Sequence, residues 1–122
     1  MEIATLAQNV RELASILRDG ERCRLLVVTL PEPLPDYETR RLLQALRELQ
    51  APLGAVFVNR VLVDSGRCAR CTLAAQWQAA SLASLRRQVK GAEIFIAREF
   101  DTPIAGAKGL QQFTRELWRM KT

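Results

Sequence analysis

Arg24-Leu25-Leu26-Val27-Val28-Thr29-Leu30-Pro31-Glu32-Pro33 is the stretch whose reading decides how this chain folds. From 25 to 30 it is almost continuously apolar, without the alternation that marks a sheet with one wet face, so it is expected to be a strand covered on both faces in a parallel sheet. Pro31, Pro33 and Pro35 follow at once. Prolines lack an N–H and disfavour helix in the residue before them, so 31–35 is expected to be an extended loop leaving the strand, with Asp36 capping the next helix.

The pattern repeats outward from that stretch. Upstream, Ile3, Leu6, Val10, Leu13 and Leu17 recur every three or four residues, the spacing of a one-sided helix, and Asp19-Gly20 is a suitable stop. Downstream, Leu42, Leu43, Leu46 and Leu49 make a second helical face that ends before Pro52. A second apolar run, 53–59, turns polar only at Asn59. A loop over 60–67 follows, with Asp64-Ser65-Gly66 as turn residues. A long helix is expected over 72–89, with Leu82, Leu85 and Val89 inward, then a strand over 93–97, a loop over 98–106 and a last helix over 107–120. One helix followed by three strand–helix units requires crossover connections. The fold class is therefore α/β: a mostly parallel sheet of about three strands flanked by helices, in a single domain over 1–122. Ligands of such sheets bind beyond the C-terminal ends of the strands, which directs attention to the loops holding Glu32, Asn59 and 98–106.

Composition narrows the chemistry. The 122 residues carry 18 Lys and Arg against 13 Asp and Glu, a net charge of +5. The basic residues are dispersed, with pairs such as Arg40-Arg41 and Arg86-Arg87 on expected outer helix faces, so no nucleic-acid partner is expected. The chain has no histidine, which removes serine–histidine and cysteine–histidine catalysis and every histidine metal site. Its apolar runs are far shorter than the roughly 20 residues of a membrane span. The first residues do not resemble a secretory signal, so the expected location is cytoplasmic, with reduced thiols.

Two of the three cysteines stand close together, as Cys68-Ala69-Arg70-Cys71. Thiolates at that spacing can grip one soft metal ion, but they are half of a structural zinc site. A second copy of the chain related by a twofold axis would supply the other half. Two further readings stay open: unligated cysteines at a helix start, and a redox pair. Glu32, directly after a buried strand, is placed to reach a ribose hydroxyl or a partner subunit, or is a solvated loop acid. Asn59 can read the edge of a base with a donor and an acceptor, or cap the loop backbone. Gly106 and Gly109 allow close approach at the last helix start. A phosphate-cradling Gly-x-x-x-x-Gly-Lys-Ser/Thr stretch is missing from the sequence, so this chain is not expected to be a self-sufficient ATPase of that class.

Taken in order, Val27-Val28-Thr29-Leu30-Pro31-Glu32, Tyr37-Glu38-Thr39-Arg40, Val58-Asn59-Arg60-Val61-Leu62, Cys68-x-x-Cys71 and Gln76 ahead of a Leu-rich helix resemble the arsenical pump-driving (ArsA-type) ATPases. Eukaryotic relatives of that family deliver tail-anchored membrane proteins. The similarity covers nearly the whole chain, and the ordered set is far more specific than any one motif. It implies the C-terminal portion of a P-loop NTPase-like fold, with 1–20 the end of a helical subdomain and 21–122 the C-terminal part of the nucleotide-binding domain. The phosphate loop and magnesium site are then expected in an N-terminal half outside this chain, and the chain should expose apolar surface where that half is missing.

By the same resemblance, Glu32 and Asn59 contact ATP. The adenine-wrapping loop corresponds to Arg98, Glu99, Phe100, Asp101, Thr102, Pro103, Ile104 and Ala105. Family members usually carry proline where Arg98 stands and glutamate where Pro103 stands. Cys68 and Cys71 match paired cysteines that hold one zinc across a homodimer in the targeting members. The implied function is nucleotide-driven anion (arsenite) export or membrane-protein targeting, with a membrane pump subunit or tail-anchored client as partner. The alternative is a stand-alone zinc-bridged dimerisation module without catalysis.

Overall fold

The computed structural model describes residues 2–63 and 68–120. The first helix, α1 (Ile3–Arg18), follows the expected apolar spacing. It stops where the Asp19 carboxylate accepts the Glu21 N–H at 2.9 Å and the Asp19 carbonyl accepts from Arg22 and Cys23. No α1 residue is buried, and Leu6 and Val10 are each more than half exposed. The helix has an apolar stripe that nothing described here covers.

The strand β1 (Leu25–Thr29) pairs in parallel with β2 (Leu53–Val61), which pairs in parallel with β3 (Glu93–Arg98). Side chains alternate across a sheet, so register decides which residues meet. Val27, Val56 and Ile94 are aligned across the three strands, and Val58 and Ile96 lie two residues further along. These residues form one core with Leu43 and Leu85 from the two helices packed on that face. On the opposite face Phe57 and Phe95 stack at 5.1 Å between centroids. There Leu26 and Val28 of β1 are 63% and 70% exposed. The expectation of a strand covered on both faces is thus corrected: β1 is an edge strand with only its Val27 face covered.

The helix α2 (Pro33–Glu48) begins inside the proline-rich segment, not after it. The first N–H groups of a helix have no intrahelical acceptor, so Pro33 and Pro35 forfeit nothing there. Glu32, in extended conformation, is the N-cap residue, and its carbonyl accepts the Asp36 N–H at 2.8 Å. Asp36 is therefore not the cap. Its carboxylate takes Arg40 at 2.5 Å and the Ser81 hydroxyl at 3.0 Å, which ties α2 to the next helix. The buried Thr39 donates to the Pro35 carbonyl at 2.7 Å and lies 2.6 Å from the Thr29 hydroxyl, latching α2 to the end of β1. At the far end Gln50 adopts φ +57°. The N–H groups of Gln50 and Ala51 return to the carbonyls of Arg47 and Leu46, so the turn closes without glycine.

The helix α3 (Ala69–Gln88) starts earlier than the expected 72, with Cys68 as its cap, and carries Leu85 inward. Asp64-Ser65-Gly66 lies outside the described residues. The last helix, α4 (Gly106–Glu116), ends short of the expected 120, because Trp118 and Arg119 form a fourth strand, β4, antiparallel to β3. The Met120 N–H bonds to Ile94 at 2.8 Å and Arg119 pairs with Glu93, partners that one more helical turn would forgo. The fold is α/β, with a mostly parallel sheet in the order β1-β2-β3-β4 and helices packed against it. None of the described helices is long and apolar enough to cross a membrane.

Two substitutions should separate core from uncovered surface in urea unfolding. Leu43→Ala is expected to cost about 2–5 kcal/mol, whereas Leu6→Ser with Val10→Ser should change stability by no more than about 0.5 kcal/mol.

Candidate functional site

Parallel pairing brings the C-terminal ends of β1, β2 and β3 to one end of the sheet, where they border a cavity of about 540 Å³. Pro31, Glu32 and Pro33 line it from the turn after β1, Arg60 and Leu62 from the end of β2, and Glu99 from the residue after β3. The fourth wall is the first half of α3, with Arg70, Ala74, Trp77 and Gln78. A second cavity of about 390 Å³ shares Pro31, Glu32, Pro33 and Trp77 and continues along α2 past Asp36, Tyr37 and Arg40. A third, of about 550 Å³, lies at the opposite end of the sheet between the last turns of α2 and α3 and touches none of the expected site residues.

Arg60 organises the first cavity. Its φ of +60° is a conformation that residues with a side chain rarely adopt, and it coincides with the break in β2–β3 register between Val58 and Val61. Gln78 holds that bulge. Its Oε1 accepts the Leu62 N–H at 2.8 Å, its Nε2 donates to the Arg60 carbonyl at 3.3 Å, and the residue is only 8% exposed. The Arg60 guanidinium then reaches the Glu99 carboxylate at 2.7 Å. The Glu99 hydrogen bond and charge push the Arg60 pKa up, and Glu32 adds to this from a greater distance. The cavity is thus bordered by the Arg60–Glu99 ion pair, with Glu32 and Arg70 as further charged groups on its lining.

The structure brings together Glu32 and Glu99 but not every expected contact. Asn59 is half-buried, uses its Oδ1 to accept the Arg60 N–H at 2.9 Å, and does not line the cavity. Of the loop 98–105, only Glu99 reaches the cavity. Arg98 turns away to pair with Glu116 of α4, and its guanidinium lies 4.3 Å from the Phe100 ring centroid. Phe100 in turn meets Phe113 at 6.2 Å. Asp101, Thr102, Pro103, Ile104 and Ala105 are exposed. Arg60, Trp77 and Gln78 were missed from sequence. Gln76, singled out there, is exposed, and Gln78 takes the buried position two residues on.

Cys68 caps α3, its sulfur accepting the Cys71 N–H at 3.4 Å. A hydrogen bond from the Cys71 thiol, the Cys71 backbone N–H and nearby Arg70 together lower the Cys68 pKa, while Cys71, as the donor, is pushed up. Both sulfurs face the same helix mouth, so their donor chemistry suits a thiophilic ion. Among the described residues no cluster of three or more Cys, His, Asp or Glu side chains could hold a metal ion. The pair therefore offers half of a tetrahedral set.

A family model described as "Anion-transporting ATPase" matches residues 1–119. "ATPase ASNA1 homolog 2" of Paramecium tetraurelia is 26% identical over 121 residues, which is 99% of this chain but 37% of that protein. "ATPase ARSA1" of Chlamydomonas reinhardtii is 27% identical over 97% of the chain and 15% of its own length. "ATPase GET3C" of Arabidopsis thaliana is 22% identical over 97% of the chain and 31% of its own length. The chain thus spans little more than a third of these relatives at most.

Gln78→Leu should destabilise the protein by about 1–3 kcal/mol, because it strands the Leu62 N–H and the Arg60 carbonyl; chemical denaturation measures this directly. The α4 contact should depend on acidity. Arg98, and then Gln112, hold the Glu116 carboxyl below the usual carboxylate range. A carboxyl depressed on folding stabilises above its unfolded pKa of about 4.3, and that stabilisation is lost as pH falls through the folded value. Glu116→Gln should therefore lower thermal stability at pH 7, and its difference from the parent chain should shrink as pH falls below the unfolded value and vanish once pH is below the depressed folded value.

Proposed function

Because the chain belongs to the anion-transporting ATPase family, we propose that its strand-end cavity receives the base and ribose of ATP while the phosphates extend toward a half of the protein outside this sequence. The observation that carries this reading is the convergence of Glu32, Arg60 and Glu99 on one cavity at the C-terminal ends of three parallel strands. Nucleotide binding itself follows from the family; the residue roles are inferred. Glu32 accepts a hydrogen bond from a ribose hydroxyl. Asn59, outside the cavity lining, acts through the bulge: its Oδ1 accepts the Arg60 N–H and so helps set the residue that presents the guanidinium. Arg60 and Arg70 together offset the charge of Glu32 and Glu99, which would otherwise repel an anionic ligand. The loop 98–105 contributes through Glu99.

Cys68 and Cys71 form one half of a shared site whose other half is the same pair in a second copy. Zinc, if bound there, would supply a cross-link between the two chains. In this chain Cys68, the N-cap residue of α3, and Cys71 in its first turn would hold the ion. Hydrolysis and magnesium binding rest with residues beyond this chain, in a cytoplasmic protein that exports an anion such as arsenite or targets a membrane protein. The exposed apolar stripe of α1 fits the end of a helical subdomain. The competing reading, a zinc-bridged dimerisation module without catalysis, draws on the Cys68–Cys71 geometry alone.

Calorimetry with the longer protein separates the two. ATP should bind, and Glu32→Ala should weaken it about tenfold or more while leaving tripolyphosphate affinity unchanged. Loss of both affinities together, or of neither, contradicts the assignment. In parallel, elemental analysis should find about one zinc per two chains, lost with the dimer on chelation or in Cys68→Ser with Cys71→Ser; a zinc-free dimer would remove the shared site.

A further inference from the structure

The cavity of about 550 Å³ between the last turns of α2 and α3 has no part in the nucleotide reading. The helix α2 is 16 residues long, so at about 1.5 Å per residue its last turn lies roughly 20 Å from the Glu32 turn. The floor of this cavity is apolar: Leu43 and Leu46 of α2, Leu53 at the start of β2, and Val89 just after α3. Its rim is basic, made by the exposed side chains of Arg47, Arg87 and Lys90. Among the described residues no Asp or Glu lines it.

Cations in a last helical turn commonly answer the helix dipole, so the charge left over is what matters. Two helix C-termini carry roughly −0.5 each, about −1 together, against three positive side chains. Other donors already serve those ends. The Leu46 and Arg47 carbonyls accept the N–H groups of Ala51 and Gln50, and the Leu49 carbonyl accepts from Arg18 at 3.1 Å. Arg47 reaches the Gln88 carbonyl at 3.4 Å. The carboxylates closest in sequence are engaged elsewhere, Glu48 with Gln44 and Glu93 with Arg119. Among the described residues none of the three cations has a carboxylate partner. A surplus of about two positive charges therefore stands over an apolar floor.

We propose that this cavity is a second binding site, for a small amphiphilic anion: a phosphate or carboxylate head at Arg47, Arg87 and Lys90, with a short hydrocarbon chain on the leucine floor. Arginines hold such heads through charge-assisted hydrogen bonds, and each methylene withdrawn from water adds to binding. The volume falls within the roughly 300–1,000 Å³ of small-molecule sites. Inorganic phosphate satisfies only the rim, and a neutral alcohol only the floor.

Calorimetry on the full chain, with octyl phosphate and octanoate as probes below their micelle concentrations, tests both halves. At least one should bind saturably, which also assigns the head group, and octanol and inorganic phosphate should each be weaker by about tenfold or more. Arg87→Gln with Lys90→Gln should weaken the bound probe about tenfold, with circular dichroism unchanged. Arg11→Gln with Arg22→Gln, an equal loss of charge on exposed residues away from the cavity, should leave binding as it was. If inorganic phosphate matches the amphiphiles, or the control pair weakens them as much, the attraction is general charge and the site is overturned. It is equally overturned if neither probe binds saturably, including where the chain associates only with anionic vesicles.

Discussion

Val56 and Val58 sit at the centre of β2 almost wholly withdrawn from water, and they do so because β2 has a parallel partner on each side. Parallel strands can be joined only by crossovers, here α2 and α3, and both pack on the face that Val27, Val56 and Ile94 share. That arrangement has a functional result. It obliges the three strands to end on the same side, so residues more than sixty positions apart, Glu32 and Glu99, border one cavity. The central strand then needs a device to present a side chain there. The bulge at Arg60, clamped by Gln78, is that device.

The cavity is also a balance of charge. Two carboxylates, after β1 and β3, would disfavour one another and any anionic ligand, and the guanidinium groups of Arg60 and Arg70 on the same cavity offset them. Arg98, the last residue of β3 and next to Glu99, instead pairs with Glu116 and so fastens α4 to that strand end. The surfaces left apolar lie elsewhere, on α1 and on the outer face of β1. The β1 patch lies on the sheet face opposite the helices that cover the core, and the chain spans 37% of the length of the Paramecium relatives.

Most of this architecture was legible in the sequence because it rests on periodicity. The apolar runs before Pro31 and up to Asn59 marked strands, and the three-to-four spacing marked α1 and α2. What was not legible depended on position within an element. Pro33 and Pro35 signal a break by propensity, yet at the first turn of a helix their missing N–H groups are harmless. Trp118-Arg119 became a strand because β3 offered an open edge and Glu93 a counter-charge, neither visible locally. Arg60 carried no sequence sign of a positive φ, since any such sign belongs to glycine or asparagine. Gln78 was overlooked for Gln76 because a helix must be phased before one glutamine is known to face the sheet.

The most direct measurement is a two-dimensional amide spectrum of the chain titrated with ATP. If the strand-end cavity is the nucleotide site, the shifted resonances cluster at Glu32, Arg60, Trp77, Gln78 and Glu99. Arg47, Arg87 and Lys90, at the cavity on the opposite end of the sheet, should stay fixed. Shifts confined to that opposite, basic end would contradict the assignment and mark the strand-end cavity as a structural feature without a ligand.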